Sequence, residues 1–216
     1  MKKKLATSPG VAEPTDRPSR IILPLLAYRA VEHTPPLEGP LITASVSPVI
    51  LKDGRAVVIR PYKPEDRDSL VSFYASLSPE TLRWALPPYD RQRIERWTSD
   101  LENSTVLLAL LKDRMVGHLQ VFRQAWSERL KGNGELIIYL HQDFQNIGLG
   151  TAMMREAIDI ARQKGLHRLV LSVIAYNHNA IKLYEKVGFR HEGLRREDYL
   201  GEDGEYHDVV EMGLLL

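Results

Sequence analysis

Gln145-Asn146-Ile147-Gly148-Leu149-Gly150-Thr151 decides how this chain folds, because it joins an apolar run to a segment of helical periodicity through a polar, glycine-bearing turn. The run before it, Glu135 to His141, reads as a strand. The segment after it, Gly148 to Lys164, puts Leu149, Ala152, Met153, Ala157, Ile160 and Ala161 on one helical face, and Gly165 supplies a C-terminal stop. Glycines in such a turn let backbone approach a ligand, and the free amides and positive dipole end of a helix start favour a pyrophosphate. A lone G-x-G is more often a turn that needs glycine for its geometry, so the neighbouring sequence has to arbitrate. A third glycine at the dinucleotide-binding spacing falls on Met153, and no Gly-Lys-Ser/Thr triplet occurs, which argues against NAD-type and ATP- or GTP-type sites.

Outward from the turn, strands and helices alternate. Ala56 to Arg60 is predicted as a strand, Pro64 to Leu77 as a helix opened by acidic residues, and Arg91 to Leu101 as a second helix. Thr105 to Leu111 and Val116 to Phe122 are apolar runs joined by Lys112-Asp113-Arg114, which suits a hairpin. Downstream, Arg168 to Ile174 reads as a strand, Asn179 to Val187 as a helix ended by Gly188, and Tyr206 to Leu215 as a last strand. Residues 1–52 hold eight of the chain's 13 prolines and are expected to form an extension, with the domain proper over 53–216.

The composition narrows the classes of function. The 216 residues, 44% hydrophobic and 26% charged, suit one domain with an extension. A net charge of +1 provides no cationic field to hold nucleic acid. With no cysteine there is no disulfide scaffold, thiolate zinc site or acyl-cysteine intermediate. The basic start Met1-Lys2-Lys3-Lys4 is interrupted by Pro9, Glu13, Asp16 and Arg17 before an apolar stretch develops, and Ile21 to Leu26 is far shorter than a bilayer span of about 20 residues. A cytoplasmic protein outside the membrane is therefore expected. The histidines show no His-x-x-x-His pairing, and no metal is expected.

About 30 residues beyond the glycine turn stands a second signature, Asn177-His178-Asn179-Ala180-Ile181-Lys182-Leu183-Tyr184-Glu185-Lys186-Val187-Gly188-Phe189. Together the two stretches resemble the GNAT superfamily of acyl-CoA N-acyltransferases, whose pyrophosphate motif is Gln/Arg-x-x-Gly-x-Gly/Ala after a strand and whose later pattern is Asn, Ala-Ile-x-Leu-Tyr, then Gly-Phe. Gln145, Gly148 and Gly150 match the first, and Asn177 through Phe189 the second. The resemblance implies a mixed α/β fold with a mostly antiparallel twisted sheet flanked by helices. In it, the strand before the turn splays from the next to open a V-shaped slot for the pantetheine arm of acetyl-CoA.

Carried onto this chain, the resemblance places the main chain of Ile138, Tyr139 and Leu140 along that arm. It puts Gln145, Asn146, Ile147, Gly148, Leu149, Gly150 and Thr151 at the pyrophosphate, and Asn177 at the coenzyme, where capping its own helix is the plainer role. Many relatives carry Arg or Lys beside the glycines; here Asn146 and Ile147 stand there, so backbone amides are expected to dominate. Tyr184 is the candidate acid for the departing thiolate. Glu135 is the candidate base, in a Glu-x-x-x-Tyr strand like that of phosphinothricin-type acetyltransferases. Ribosomal-protein alanine acetyltransferases carry a glutamate five residues before the asparagine, where this chain has Ser172. His118 and His141 are secondary relay candidates. The acceptor, a small-molecule amine or a protein N-terminus, is expected to meet Ser78 to Asp90, including Thr81 to Tyr89, and Arg195 to His207 with Tyr199. The ending Gly204 to Met212 is similar to RimJ/RimL-type enzymes. A non-catalytic acyl-CoA sensor is the alternative reading, and a homodimer stays open.

Overall fold

The computed structural model describes residues 48–216 apart from 84 and 86. The expected extension lies outside the described residues as far as residue 47, and Trp84 and Leu86 of the expected acceptor loop lie outside them too.

Among the described residues eight strands form one sheet in the order β1-β2-β3-β4-β5-β6-β8-β7. They are β1 (Val49–Ile50), β2 (Ala56–Pro61), β3 (Ser104–Leu111), β4 (Arg114–Arg123), β5 (Asn133–Leu140), β6 (Arg168–Ile174), β7 (Arg190–Leu200) and β8 (Tyr206–Leu215). All neighbours are antiparallel except β5 and β6, which pair in parallel. The mixed, mostly antiparallel architecture is as the sequence led us to expect. The β3–β4 hairpin closes on Lys112 and Asp113, with Leu111 opposite Arg114 and Lys112 in the left-handed region at φ 55°.

Among the described residues five helices flank the sheet: α1 (Arg67–Ala75), α2 (Pro79–Leu82), α3 (Arg91–Thr98), α4 (Leu149–Gln163) and α5 (His178–Lys186). The apolar stripe of α4 is wholly buried at Leu149, Met153 and Met154, and it packs with Leu119, Leu136, Leu169, Leu171 and Met212 on one face of the sheet. Each such side chain contributes about 1.5–3 kcal/mol by leaving water. The other face carries a smaller cluster in which Leu70, Phe73 and Tyr74 of α1 and Ile94 of α3 meet Val106, Leu108 and Met115.

Two helical expectations need correction. Pro64 to Leu77 is not one helix: Pro64–Asp66 is a 3-10 turn, and α1 starts at Arg67. The 3-10 turn runs directly into α1, and Asp66 fixes its start: its carboxylate accepts from the Lys63 amide at 2.8 Å and is gripped at both oxygens by Arg60 at 2.6 and 2.7 Å. The helix expected to reach Leu101 stops at Thr98, whose hydroxyl bonds back to the Ile94 carbonyl at 2.9 Å. The short α2, capped by the Ser78 hydroxyl accepting from the Thr81 amide at 3.2 Å, and the edge strand β7 carry no periodic apolar signal.

Candidate active site

The functional geometry begins where β5 leaves β6. These strands share three rungs, Asn133 with Arg168, Gly134 with Leu169 and Glu135 with Val170. Beyond Glu135, β5 continues to Leu140 paired with β4 alone, so a slot opens along Leu136 to Leu140. Side chains alternate across it: Leu136, Ile138 and Leu140 turn to the α4 and α5 cluster, Tyr139 to the α1 and α3 cluster.

The turn from β5 to α4 lies at the end of this slot. His141 opens a 3-10 turn over Gln142–Phe144 by accepting the Asp143 amide at Nδ1, 3.3 Å, while Arg114 lies 2.8 Å from its Nε2. Burial, then Arg114, lowers its proton affinity. The Gln145 amide group donates to the Leu140 carbonyl at 3.3 Å and to the Thr81 hydroxyl at 3.2 Å, tying the turn to α2. Asn146 and Gly148 are left-handed, at φ 62° and 100°. No side chain caps α4, and the Ala152 amide bonds to the Gly148 carbonyl at 3.1 Å. The amides of Leu149, Gly150 and Thr151 precede that bond, so helix geometry leaves them without intrahelical acceptors, at the positive end of the dipole.

The two glycines do different work. Gly148 needs its conformation, since a Cβ there finds open space with Lys52 Cγ nearest at 3.9 Å. Gly150 makes room for side chains, because a Cβ there meets Leu183 Cδ2 at 2.9 Å and Leu140 Cδ1 at 3.2 Å. Leu149 is fully buried and offers the turn only backbone. Lys52 was not singled out in the sequence, yet its amide donates to the Ile147 carbonyl at 3.0 Å, so the β1–β2 turn brings a lysine stem to a cradle whose own residues lack cations. Its position 95 residues upstream left no local signal.

Asn177 caps α5, its side-chain oxygen accepting from the Ala180 amide at 3.2 Å. Tyr184 lies on the same helix, buried to 8% exposure, and burial pushes its phenol up to about 12. No hydrogen-bond partner of its hydroxyl is found among the described residues. Glu135 is half-buried at the last rung before the strands part, and its proton affinity is raised first by burial and then by the neighbouring Glu211 carboxylate, against a lowering by Arg195. Glu211 was missed in the sequence, where its place between the apolar Val210 and Met212 is the ordinary alternation of a strand with one solvated face.

The segments 78–90 and 195–207, at which the acceptor was expected, touch each other. The Tyr199 hydroxyl on β7 donates to the Ala85 carbonyl at 2.9 Å, and Tyr89 meets Tyr139 hydroxyl to hydroxyl at 2.9 Å. The Tyr74 ring stacks on Tyr89 at 4.5 Å, and its hydroxyl lies 2.7 Å from His118 Nδ1. His118 is fully buried and burial lowers it to about 3, so it stays neutral and serves this aromatic cluster rather than a relay that must charge. Among the described residues no group of three or more His, Asp or Glu side chains converges as metal ligands, and no helix is long and apolar enough to cross a membrane.

A strand that splays from its neighbour, a glycine turn and an uncapped helix start form the α/β arrangement that the resemblance to acyl-CoA N-acyltransferases implies. The model of the Acetyltransferase (GNAT) family matches residues 70–189, and the chain belongs to that family. It is similar to the [ribosomal protein bS18]-alanine N-acetyltransferase of Escherichia coli, 39% identical over 77 residues, which are 36% of this chain and 51% of that relative. It is also similar to the L-amino acid N-acetyltransferase of the same organism, 29% identical over 158 residues, 72% of this chain and 96% of that one. A Salmonella typhimurium protein solved with its cofactor acetyl-CoA shares the fold at a TM-score of 0.64 and 22% identity, covering 74% of this chain and 94% of the other. The chain is an acetyl-CoA-dependent N-acetyltransferase.

Proposed function

We propose that the domain beginning near residue 53 transfers the acetyl group directly from acetyl-CoA to the α-amino group of an amino acid, small molecule or protein N-terminus, in the cytoplasm. The observation that carries this is the slot along Leu136 to Leu140, ending in an uncapped helix start. The main chain of Ile138, Tyr139 and Leu140 would hold the pantetheine arm. Asn146 to Thr151 would hold the pyrophosphate, with Gln145 fixing the turn and Asn177 contacting the coenzyme through the amide nitrogen its cap leaves over.

The chemistry divides between two faces of the sheet. Glu135, facing away from α4 and α5, takes the proton from the acceptor, a role favoured by the burial that raises its proton affinity. The freed nitrogen attacks the thioester carbon, the N–C bond forms, the C–S bond breaks with its electron pair on sulfur, and the second proton of the new amide nitrogen leaves to solvent. Tyr184, from the helix side, donates a hydrogen bond to that sulfur. A phenol near about 12 lies roughly 3.5 units above a thiol of about 8.5, so full transfer would cost about 5 kcal/mol, and solvent completes the protonation. An α-amino acceptor fits this machinery because its pKa of about 7.7–8.0 leaves a useful neutral fraction at physiological pH, whereas lysine at about 10.4 does not. The names of the two relatives, an alanine of bS18 and L-amino acids, support the same class.

The test is CoA release from acetyl-CoA by the purified protein, over a panel of amino acids, N-terminal peptides and ε-amines. Release with α-amines above ε-amines of equal concentration is expected. A protein that binds acetyl-CoA and releases no CoA with any amine refutes the reading.

A further inference from the structure

Resting on that acetyl-transfer reading, we propose that Glu211, reaching across the sheet from β8, is the docking carboxylate for a cationic primary ammonium acceptor, which it presents to Glu135.

The register places it. The last shared rung of β5 and β6 pairs Glu135 with Val170, and the next β6 residue on the same face is Ser172, the first beyond the parting of the strands. Ser172 is the β6 partner of Glu211, and its hydroxyl donates to Glu211 Oε1 at 2.9 Å and Oε2 at 3.2 Å. A carboxylate that the sequence assigns to the last strand is thus held over the position where β6 itself offers only a hydroxyl. Arg195 of β7 pairs with Oε1, and its Nε donates to Asp198 at 2.9 Å. Oε1 is therefore held twice, while Oε2 keeps only the longer of the Ser172 contacts among the described residues and is the oxygen left for a ligand.

The arrangement separates docking from deprotonation. A carboxylate already held by a guanidinium and a hydroxyl is fixed in position and is a steady partner for an ammonium. Glu135 lies close enough to Glu211 for like charge to add to its burial, so a cation between them relieves the repulsion of the two carboxylates. Arg195 also has a buried Nη2 with no partner, a donor that an oxygen beside the acceptor nitrogen would satisfy, as in an α-amino carbonyl compound.

The experiment compares Glu211→Gln, Glu135→Gln and the exchange Ser172→Glu with Glu211→Ser, each with an aliphatic α-amine and an arylamine that is uncharged at the assay pH. Glu211→Gln is expected to raise the KM of the aliphatic amine tenfold or more, with kcat and acetyl-CoA affinity within about threefold and the arylamine KM unchanged. Glu135→Gln should instead lower kcat for both acceptors. The exchange returns a carboxylate to the slot from β6 and should recover most of the aliphatic KM; if it does not fold, Glu211→Asp must retain a KM at least fivefold below that of Glu211→Gln. Equal KM effects on charged and neutral acceptors, or no KM effect, overturn the docking role. Wild-type protein that acetylates neither amine fails the acetyl-transfer reading instead, a different result from either.

Discussion

Alanine placed separately at Gly148 and Gly150 distinguishes the two glycines of the cradle. At Gly148 a Cβ meets nothing closer than Lys52 Cγ at 3.9 Å, so the cost is conformational: the residue sits at φ 100°, where an L side chain costs about 1–2 kcal/mol. Relieving that strain re-aims the amides that follow. At Gly150 the backbone is helical, and alanine gains up to about 1 kcal/mol of helix propensity. Its Cβ would sit 2.9 Å from Leu183 Cδ2 and 3.2 Å from Leu140 Cδ1, so leucine tips must give by a few tenths of an ångström, an overpacking cost of about 1–3 kcal/mol. The expected outcomes cross over. Gly148→Ala should lower Tm by about 2–8 °C, as about 1–2 kcal/mol predicts for a domain of this size, and weaken acetyl-CoA tenfold or more. Gly150→Ala should change Tm by a similar amount or less while keeping acetyl-CoA affinity within about threefold. Calorimetric titration alongside thermal melts reads both quantities. A Gly150→Ala protein with unchanged Tm and a tenfold weaker Kd would refute the reasoning, since it would mean that phosphate, not leucine, occupies the space beside Gly150.

Tyr184→Phe keeps the buried ring and deletes the sulfur's hydrogen-bond donor, so single-turnover acetyl transfer should fall about tenfold to a hundredfold with acetyl-CoA affinity retained; an unchanged single-turnover rate reduces Tyr184 to packing. Asn177→Ala removes the α5 cap and should cost about 1 kcal/mol, or 2–4 °C in Tm, whereas Asn177→Asp keeps the capping oxygen and the Tm but loses the amide donor, and an unchanged acetyl-CoA Kd in the aspartate variant confines Asn177 to capping. His118 is held neutral in the folded protein, at about 3 against about 6.5 unfolded, so its contribution is complete above about pH 6.5 and is lost as pH falls toward 3, up to about 5 kcal/mol; His118→Gln should flatten the acid limb of denaturant-measured stability, and an identical slope in the variant contradicts the assignment.

What the sequence disclosed and what it concealed follow from how far each interaction reaches along the chain. The cradle was legible because its determinants are contiguous: an apolar strand, two glycines and a helical stripe fall within about 30 residues, and each belongs to a local period or conformation. Even there the sequence could not separate the glycine needed for its left-handed backbone from the one needed to admit Leu183, because that leucine arrives from α5, 33 residues on. β7 was hidden for a different reason. Arg190 to Leu200 is almost entirely exposed, so no apolar alternation was required of it. The acceptor-side charges were the least legible part. Glu135, Ser172, Arg195 and Glu211 come from four strands, and only the register that sets Glu135 beside Val170 and Ser172 beside Glu211 brings them onto one face. Glu135 was singled out through a resemblance, but Ser172, Arg195 and Glu211 read alone were bland. A solvated glutamate, a strand serine and a surface arginine become a site only when the sheet order is known, and a slip of one residue in β8 would turn Glu211 into the apolar core. The residues expected to hold the coenzyme are therefore written locally, whereas those proposed for the acceptor meet only through the tertiary pairing of the last strands, so the first could be read from the chain and the second had to be argued from the fold.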